Sequence, residues 1–166
     1  FISDTEIAEI VHSISNQINN SGVKDPLFIA VMNGAFLFAA DVMRKITISN
    51  AEISFIKLSS YEGTETTGKV DELIGVSDDI SGRNIIVLED IIDTGITLEK
   101  IISLLKKEEV ADIKVATLLF KPDAYTKDIH IDFIGKSIPN DFVVGYGLDY
   151  DEIGRNLPHI YKLKNE

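Results

Sequence analysis

The segment 89–97 brings carboxylates, hydroxyls and a glycine close together in the chain. It contains two adjacent acids, a third acid and a turn-forming run: Glu89, Asp90, Asp93, Thr94, Gly95, Ile96 and Thr97. Backbone amides and hydroxyls in a glycine turn bind phosphate oxygens without needing a lysine. Carboxylates repel phosphate, but they bind ribose hydroxyls or a hard cation such as Mg²⁺. The segment therefore predicts a site for a sugar phosphate accompanied by a metal ion.

The elements on either side of this segment are predicted to be a buried strand and a helix. The run Ile85 to Leu88 lacks polar alternation, which is typical of a strand buried on both faces of a parallel sheet. Four later apolar residues share one helical face: Leu98, Ile101, Ile102 and Leu105. The first amides of that helix and its dipole favour an anion. An ordinary strand-to-helix turn, with Asp93 or Thr94 as the N-cap, is the alternative.

A second stretch repeats the order of strand, small-residue turn and helix. Pro26 precedes the apolar run Leu27 to Met32, which leads into Asn33, Gly34 and Ala35 and then into a helix from Phe36 to Ile46. In a doubly wound sheet, ligands bind at the carboxyl ends of such strands. Two of these turns side by side would form neighbouring anion sites, although a plain turn that needs Gly34 for its backbone shape is equally compatible with this stretch alone.

The remaining elements read as scaffold. Ser3 or Asp4 is expected to cap a first helix, whose buried face comprises Ile7, Ile10, Val11, Ile14 and Ile18 and which ends at 19–22. Further strands are predicted at 51–58, 113–120 and 130–134.

Three other features are candidates for chemistry, each with a plainer explanation. The polar stretch 59–69 is predicted to be a lid, or else a mobile hairpin without a role. Lys121 directly follows a core strand, so it is either a ligand-binding lysine or a surface lysine with a buried stem. Phe142 offers a flat face for a base, or else belongs to the core.

Composition narrows the class of protein. The chain has 166 residues, of which 45% are hydrophobic, enough for one domain with a sizeable core. It has no cysteine, which excludes disulfides and thiolate metal sites. Its net charge of −11 disfavours nonspecific binding to nucleic acid or anionic membranes, and no apolar run approaches the roughly 20 residues that span a bilayer. We expect a cytoplasmic protein without nucleic-acid or membrane partners.

The run from Glu89 to Leu98 resembles the phosphoribosyl-diphosphate (PRPP) binding motif of type I phosphoribosyltransferases, and more narrowly of the hypoxanthine–guanine branch. Further matching motifs follow in order near residues 33, 60, 121 and 142–155. The resemblance implies an enzyme of purine salvage that transfers the 5-phosphoribosyl group from PRPP to N9 of hypoxanthine or guanine. It also implies Mg²⁺ as the cofactor, with IMP or GMP and pyrophosphate as products.

The resemblance assigns roles to the general base and to the residues that would contact PRPP, the phosphoribosyl donor. Asp93 is expected to be the general base, which takes the N7 proton of the purine. The backbone from Asp93 through Ile96 to Thr97 is expected to bind the 5′-phosphate, and Glu89 and Asp90 to bind ribose hydroxyls and Mg²⁺. The pyrophosphate is expected to contact Arg155 and the loop at Asn33 and Gly34, with a non-proline cis peptide between those two loop residues. Many relatives have lysine at the position of Asn33.

The same resemblance assigns roles to the residues that would contact the purine, the phosphoribosyl acceptor, and to the lid. Lys121 is expected to donate a hydrogen bond to O6 of the purine, and Phe142 is expected to stack on the base. Backbone groups at Val143, next to Phe142, are expected to form hydrogen bonds with the edge of the base. Asp149 is expected to lie beside the base on the side of Mg²⁺ and pyrophosphate, as a third metal ligand. Ser60 and Tyr61 match the family's lid, which keeps water from the cationic transition state.

The implied fold is an open, mostly parallel, twisted α/β sheet with helices on both faces. Residues 1–166 are expected to form one domain, with a small hood from about 125–166 and part of the N-terminus. The implied assembly is a homodimer or homotetramer.

Two other functions are compatible with parts of the sequence. A regulator of this fold would sense PRPP without catalysis, but such proteins add a nucleic-acid-binding domain or a basic face. A doubly wound signalling domain would use Asp90 as a phosphoryl acceptor, which leaves Lys121 and Phe142 without a role. A Walker-type nucleotide site is disfavoured because the chain lacks the Gly-x-x-x-x-Gly-Lys-Ser/Thr motif.

Overall fold

A computed structural model of the chain describes residues 1–58, 72–74 and 79–163. Three helices and eight strands are defined in this part: α1 (Asp4–Asn19), β1 (Leu27–Val31), α2 (Phe36–Met43), β2 (Glu52–Leu58), β3 (Glu72–Ile74), β4 (Asn84–Ile92), α3 (Ile96–Lys107), β5 (Asp112–Phe120), β6 (Phe133–Ser137), β7 (Val143–Val144) and β8 (Tyr161–Lys162). None of the helices described is long and apolar enough to cross a membrane.

Six strands form the main sheet in the order β3-β2-β1-β4-β5-β6. All neighbouring pairs are parallel except β2 and β3, which are antiparallel. From β1 the chain continues to β2 on one side, whereas from β4 it continues to β5 on the other. The direction of winding therefore reverses between β1 and β4, and open α/β sheets bind ligands at such a point. The predicted fold class is confirmed.

The apolar runs are buried on both faces of the sheet. Along β4, Ile86 and Leu88 pack in a cluster with α1 and α2, whereas Ile85 and Val87 pack in a cluster with α3. All residues of β1 are buried in the same alternating way. Because successive side chains point to opposite faces, a strand covered on both sides needs no polar residues.

Helix α1 agrees closely with its predicted form. The Ser3 hydroxyl accepts a hydrogen bond from the Glu6 amide at 3.2 Å, so Ser3 is the N-cap. The predicted apolar face lies in or against the core, with Ile7, Val11, Ile14 and Ile18 buried. The helix ends at Asn19, as the polar run after it predicts.

Several element boundaries differ from the prediction. Strand β4 does not end before the acidic pair but runs to Ile92, because its ladder with β5 continues, pairing Glu89 with Thr117. Helix α2 ends at Met43, three residues early, where the Lys45 amide bonds to the Val42 carbonyl in a tight turn.

Strand β6, at the edge of the sheet, lies three residues later in the sequence than predicted. Strand β6 begins at Phe133 and not near His130, since its register pairs Phe133 with Ala116 and continues to Ser137 opposite Phe120. The segment before it is irregular.

The C-terminal segment returns to the N-terminus after leaving the main sheet. Strands β7 and β8 form a small antiparallel ribbon, and Ile2 bridges to Ile160. His159 in this segment accepts a hydrogen bond at Nδ1 from the Asp4 amide at 2.9 Å.

Candidate active site

Two of the predicted site loops meet a third segment at the carboxyl ends of β1 and β4. A Cβ atom added to Gly34 would overlap the Asp90 carboxylate, and one added to Gly147 would overlap the Gly34 carbonyl oxygen. Only glycine permits these close approaches. The structure therefore brings together the turn after β1, the acidic end of β4 and the chain that leads to Asp149.

The N-terminus of α3 is left without a side-chain cap. Gly95 is the N-cap residue, with φ of +83°, and no side chain accepts a hydrogen bond from the first helical amides. The alternative, in which Asp93 or Thr94 caps the helix, is therefore wrong. Residues Glu89 and 91–98 line a small cavity of about 90 Å³ at this helix end. Uncapped amides that face a cavity at a positive helix end suit an anion such as phosphate.

Gly95 also has a packing reason to be glycine. A Cβ atom at this position would lie 2.5 Å from the ring of Tyr125 and 2.8 Å from the Lys127 side chain. The Lys127 ammonium pairs with Glu99 at 2.6 Å, and the Thr126 amide donates to the Thr94 carbonyl at 3.3 Å. The segment after β5 thus covers the outside of the helix end, a contact that the sequence pattern did not reveal.

Lys121 and Asp93 form an ion pair across neighbouring strands. The Lys121 ammonium donates to Asp93 Oδ2 at 2.7 Å, although the two residues are 28 positions apart. Asp93 follows β4 and Lys121 follows β5, and the Lys121 amide bonds to the Ile92 carbonyl at 2.9 Å. The Lys121 side chain is 9% exposed and the Asp93 side chain 44%. Lys121 is therefore not a surface lysine, and its carboxylate partner is the more open of the two.

Glu89 and Asp90 are adjacent but have different neighbours. Glu89, 4% exposed, lines the cavity at α3, whereas Asp90 contacts Gly34. Burial, and secondarily the charge of Asp90, raise the pKa of Glu89 well above its ordinary value. Burial also raises the pKa of Asp90 to about 6, against the opposing effects of backbone hydrogen bonds and Arg155. The negative charge of this pair is poorly compensated in the described residues.

Arg155 is held by several acceptors of its own segment. Its guanidinium donates to the Gly147 carbonyl at 2.8 Å and pairs with Asp149 at 2.7 Å and with Glu152 at 3.3 Å. The second Asp149 oxygen accepts from the Glu152 amide at 2.9 Å. Arg155 and Asp149, both predicted site residues, thus form an ion pair with each other. Glu152 is a neighbour that the sequence interpretation missed.

Phe142 is exposed, and Val143 beside it is buried. Phe142 is 53% exposed, so it is not a core residue, and its ring meets Tyr150 edge-to-face at 5.7 Å. Val143 is 6% exposed and begins β7. Tyr150 was missed as a neighbour of the proposed stacking face, although it lies within the matching stretch 142–155.

Of the other predicted site residues, Asn33 is described by the structure, whereas Ser60 and Tyr61 are not. Asn33 is partly buried, and the non-proline cis peptide joins Met32 to Asn33, so the expected position between Asn33 and Gly34 is wrong. Strand β1 likewise ends one residue before the predicted Met32. Ser60 and Tyr61 lie outside the described residues. Within residues 1–58, 72–74 and 79–163, no three His, Asp or Glu side chains are grouped as a metal site.

Comparisons with known proteins agree with the geometry. A family model described as "Phosphoribosyl transferase domain" matches residues 3–151. A hypoxanthine-guanine phosphoribosyltransferase from Streptococcus pneumoniae is 40% identical over 99% of this chain and 92% of its own length. A hypoxanthine phosphoribosyltransferase from Buchnera aphidicola is 40% identical over 96% of this chain and 90% of its own length.

Solved structures are similar over the same extent. The crystal structure of a hypoxanthine-guanine phosphoribosyltransferase from Bacillus anthracis superposes with a TM-score of 0.89 and 40% identity, covering 99% of this chain and 97% of that one. A hypoxanthine phosphoribosyltransferase from Staphylococcus aureus also gives 0.89, at 35% identity and with 99% and 90% coverage.

Proposed function

Because the chain belongs to the phosphoribosyltransferase family, within its hypoxanthine–guanine group, we propose that it transfers the 5-phosphoribosyl group from PRPP to N9 of hypoxanthine or guanine. The products are IMP or GMP and pyrophosphate, and the reaction belongs to purine salvage. The substrates are small molecules, and the residue roles that follow are part of the proposal.

The observation that carries this proposal is the ion pair between Lys121 and Asp93. A 6-oxopurine with its proton on N7 presents an acceptor, O6, next to a donor, N7–H, on one edge. An ammonium beside a carboxylate 2.7 Å away offers the complementary donor and acceptor. Adenine presents an amino group in place of O6, which leaves the Lys121 ammonium facing another donor. The pair therefore favours hypoxanthine and guanine over 6-aminopurines.

The same pair supplies the proton acceptor for transfer. N9 of the purine forms a bond to C1′ of the ribose while the bond from C1′ to the pyrophosphate oxygen breaks. The N7 proton passes to the Asp93 carboxylate, and the electron pair of the broken bond leaves with pyrophosphate. General base catalysis of this kind contributes about 10²–10⁴-fold. The half-open position of Asp93 supports this role, because the carboxylate remains accessible from the site.

The uncapped end of α3 is the proposed site for the 5′-phosphate. Backbone amides from Asp93 to Thr97, including that of Ile96, together with the Thr94 and Thr97 hydroxyls, would donate to its oxygens. The cavity of about 90 Å³ exceeds the roughly 10–15 Å³ that a cavity needs to hold one water molecule. That space is suited to a tetrahedral oxyanion.

Mg²⁺ is the proposed cofactor, and Glu89, Asp90 and Asp149 are its candidate ligands, of which one or two would hold it together with substrate oxygens. Burial is the main cause of the raised pKa values of Glu89 and Asp90, and a bound cation would stabilise their ionised forms. Proteins commonly hold Mg²⁺ through one or two carboxylates plus substrate phosphates, so a complete cluster of protein ligands is not required. When bound with PRPP, the ion neutralises charge on the pyrophosphate. Asp149 would have to share its contact with Arg155 to take part.

The remaining roles complete the proposed site. The loop of Asn33 and Gly34, with Arg155, would bind pyrophosphate. Phe142 would stack on the purine beside the backbone at Val143. A hood from about 125–166 and part of the N-terminus would cover the base, supported by the bridge from Ile2 to Ile160. A lid carrying Ser60 and Tyr61 would exclude water.

The proposed setting of the enzyme is a cytoplasmic homodimer or homotetramer. Phe36, Ile53 and Phe55 are each more than a third exposed, which is compatible with a contact between copies. Light scattering during size-exclusion chromatography measures the assembly directly.

A panel of purines assayed with PRPP tests the function. We expect turnover of hypoxanthine or guanine with release of pyrophosphate, and little turnover of adenine. Activity should disappear with a chelator and return when Mg²⁺ is added. Absence of turnover with every 6-oxopurine would refute the function, whereas full turnover in metal-free buffer would refute only the cofactor.

A further inference from the structure

The turn between Gly145 and Leu148 has an unusual residue at its centre. The Leu148 amide donates to the Gly145 carbonyl at 3.2 Å, and both central residues have positive φ, +49° at Tyr146 and +98° at Gly147. That combination is required by a type I′ turn, in which glycine and asparagine are preferred. A tyrosine in the left-handed region is strained and persists only when surrounding contacts hold it.

Tyr146 is held by burial and by one hydrogen bond to helix α2. It is 7% exposed and packs in the core cluster of α1 and α2. Its hydroxyl donates to Asp41 Oδ2 at 2.7 Å. Burial is the main cause of the raised pKa of Tyr146, so the hydroxyl keeps its proton and remains a donor. Asp41 also meets Arg44 at 3.8 Å, but the Arg44 side chain is 82% exposed and that contact is weak.

The contact between Tyr146 and Asp41 closes a ring of contacts around the site. Asp41 lies on α2, which begins directly after Gly34 and Ala35. Gly147, next to Tyr146, packs against the Gly34 carbonyl, and Gly34 packs against Asp90. The ring therefore runs from Gly34 through α2 to Asp41, across to Tyr146, and back through Gly147 to Gly34.

The same turn anchors the cationic side of the site. The Gly147 carbonyl accepts from the Arg155 guanidinium at 2.8 Å, and the Gly147 amide donates to the Arg155 carbonyl at 2.9 Å. Arg155 in turn pairs with Asp149. A displacement of the turn would thus move Gly34 and Arg155 relative to Asp90, while the pair of Lys121 and Asp93 is outside the ring.

We propose that Asp41 and Tyr146 are a positioning pair, which holds the turn after β1 against the Arg155 segment and so sets the width of the pyrophosphate side of the site. This inference rests on the proposed function, because it assigns the pair to binding of PRPP. Neither residue touches the reacting atoms. Their loss should weaken PRPP binding while leaving purine binding and the chemical step nearly unchanged.

Four variants and two controls test the pair by steady-state kinetics and by calorimetric titration with PRPP and Mg²⁺. We expect Tyr146→Phe and Asp41→Ala each to raise the KM and Kd for PRPP on the order of tenfold, as for loss of a hydrogen bond to a charged group. The double variant should be no worse than the single ones, because both remove one contact. Asp41→Asn keeps an acceptor and should stay within about threefold of wild type.

Matched controls separate this contact from general effects. Arg44→Ala removes the other partner of Asp41, and Tyr161→Phe removes the hydroxyl of a tyrosine that is 41% exposed. Both should leave the KM for PRPP unchanged. The KM for hypoxanthine should be unchanged in all six proteins.

The outcomes distinguish this inference from the proposed function. If wild type shows no transferase activity and no PRPP binding, the proposed function fails and the positioning role fails with it. If wild type is active but Tyr146→Phe and Asp41→Ala bind PRPP normally, or their effects add, the positioning role alone is refuted. A lower Tm with an unchanged KM for PRPP would likewise refute it, since that is the result of a purely structural contact.

Discussion

Two ion pairs in the site have the same length of 2.7 Å and contrasting surroundings. Lys121 and Asp93 come from the ends of neighbouring parallel strands, so the sheet fixes their separation. Arg155 and Asp149 lie in an irregular segment, where Arg155 also binds the Gly147 carbonyl and Glu152. In the described residues, Lys121 Nζ has one carboxylate partner, whereas the Arg155 guanidinium has two carboxylates and a carbonyl.

This difference indicates how each pair can respond to a ligand. A ligand that approaches Lys121 has to replace or share one contact, and Asp93 is open enough to receive it. A ligand that approaches Arg155 meets a guanidinium whose donors already hold its own segment in shape. We infer that Lys121 and Asp93 recognise substrate directly, and that Arg155 combines binding with support of the fold.

The largest effect is expected from Asp93→Asn. Asparagine keeps the shape and hydrogen-bonding capacity of the side chain but cannot accept the N7 proton. We expect kcat to fall by about two to four orders of magnitude while the Kd for PRPP changes little. Steady-state kinetics and calorimetric titration with PRPP measure the two quantities.

Two further variants make the Asp93 result specific. Asp123→Asn removes the same charge at a nearby exposed position and should leave kcat unchanged. Thr97→Val should behave in the opposite way to Asp93→Asn, raising the Kd for PRPP several-fold through loss of a phosphate donor, about 0.5–1.5 kcal/mol. Near-native kcat in Asp93→Asn, or loss of PRPP binding alone, would show that Asp93 is not the base.

The next largest effect is expected from Lys121→Ala. Loss of a buried, charged hydrogen bond to O6 should cost about 1.5–3 kcal/mol in kcat/KM for hypoxanthine, or roughly 10- to 150-fold. Adenine turnover should not fall in parallel, so the preference for 6-oxopurines should shrink. The measurement is kcat/KM for hypoxanthine and adenine in parallel.

Lys114→Ala is the matched control for Lys121→Ala. Lys114 lies within β5, near its amino end, whereas Lys121 follows the strand, and Lys114 pairs with Asp132 at 3.3 Å. It should leave the base preference unaltered. If Lys121→Ala retains the full preference for hypoxanthine over adenine, Lys121 has no part in reading the base.

A moderate effect on both binding and stability is expected from Arg155→Lys. A lysine cannot reproduce the planar fork that reaches the Gly147 carbonyl and Asp149 together. We expect the Kd for PRPP to rise about tenfold and the free energy of unfolding to fall by about 1–2 kcal/mol. Urea denaturation and calorimetry test the two effects. Unchanged stability would show that Arg155 resembles Lys121 and serves binding alone.

The smallest effect concerns pH and Asp90, which lies close enough to Arg155 for the guanidinium to lower its pKa. Because burial raises the pKa of Asp90 to about 6, the folded protein binds this proton more tightly than the unfolded chain. Stability should therefore rise as pH falls from 7 to 5. Asp90 should contribute about 1 kcal/mol of that rise.

The contribution of Asp90, together with its coupling to Glu89, is obtained by subtraction. Urea denaturation at pH 7 and pH 5, without divalent ions, measures how the free energy of unfolding changes with pH. The change in wild type is compared with the change in Asp90→Asn. Glu89 adds an effect of the same sign in both proteins, but a smaller one in Asp90→Asn, because the charge of Asp90 is a secondary cause of the raised pKa of Glu89. An equal change in the two proteins would mean that Asp90 keeps an ordinary pKa.

The sequence by itself determined the repeating order of strand, turn and helix, and the residues that stand at each turn. Apolar runs without alternation predicted strands covered on both faces, and the spacing of Leu98, Ile101 and Leu105 predicted the buried face of α3. These features are local, because backbone preference and side-chain periodicity depend on residues that are close together in the sequence. The family resemblance was also carried by short motifs, so it needed no tertiary information.

The tertiary structure decided which of those residues act on each other. The extension of β4 to Ile92 depends on its ladder with β5, and the pairing of Lys121 with Asp93 depends on the same register across 28 positions. The sequence likewise could not reveal that Gly34 lies against Asp90, or that Arg155 binds Asp149. Each of these contacts joins segments whose separation is set by the packing of the whole sheet and the returning C-terminal chain. Local pattern specifies which side chains are available, whereas only the fold sets the distances at which charges pair.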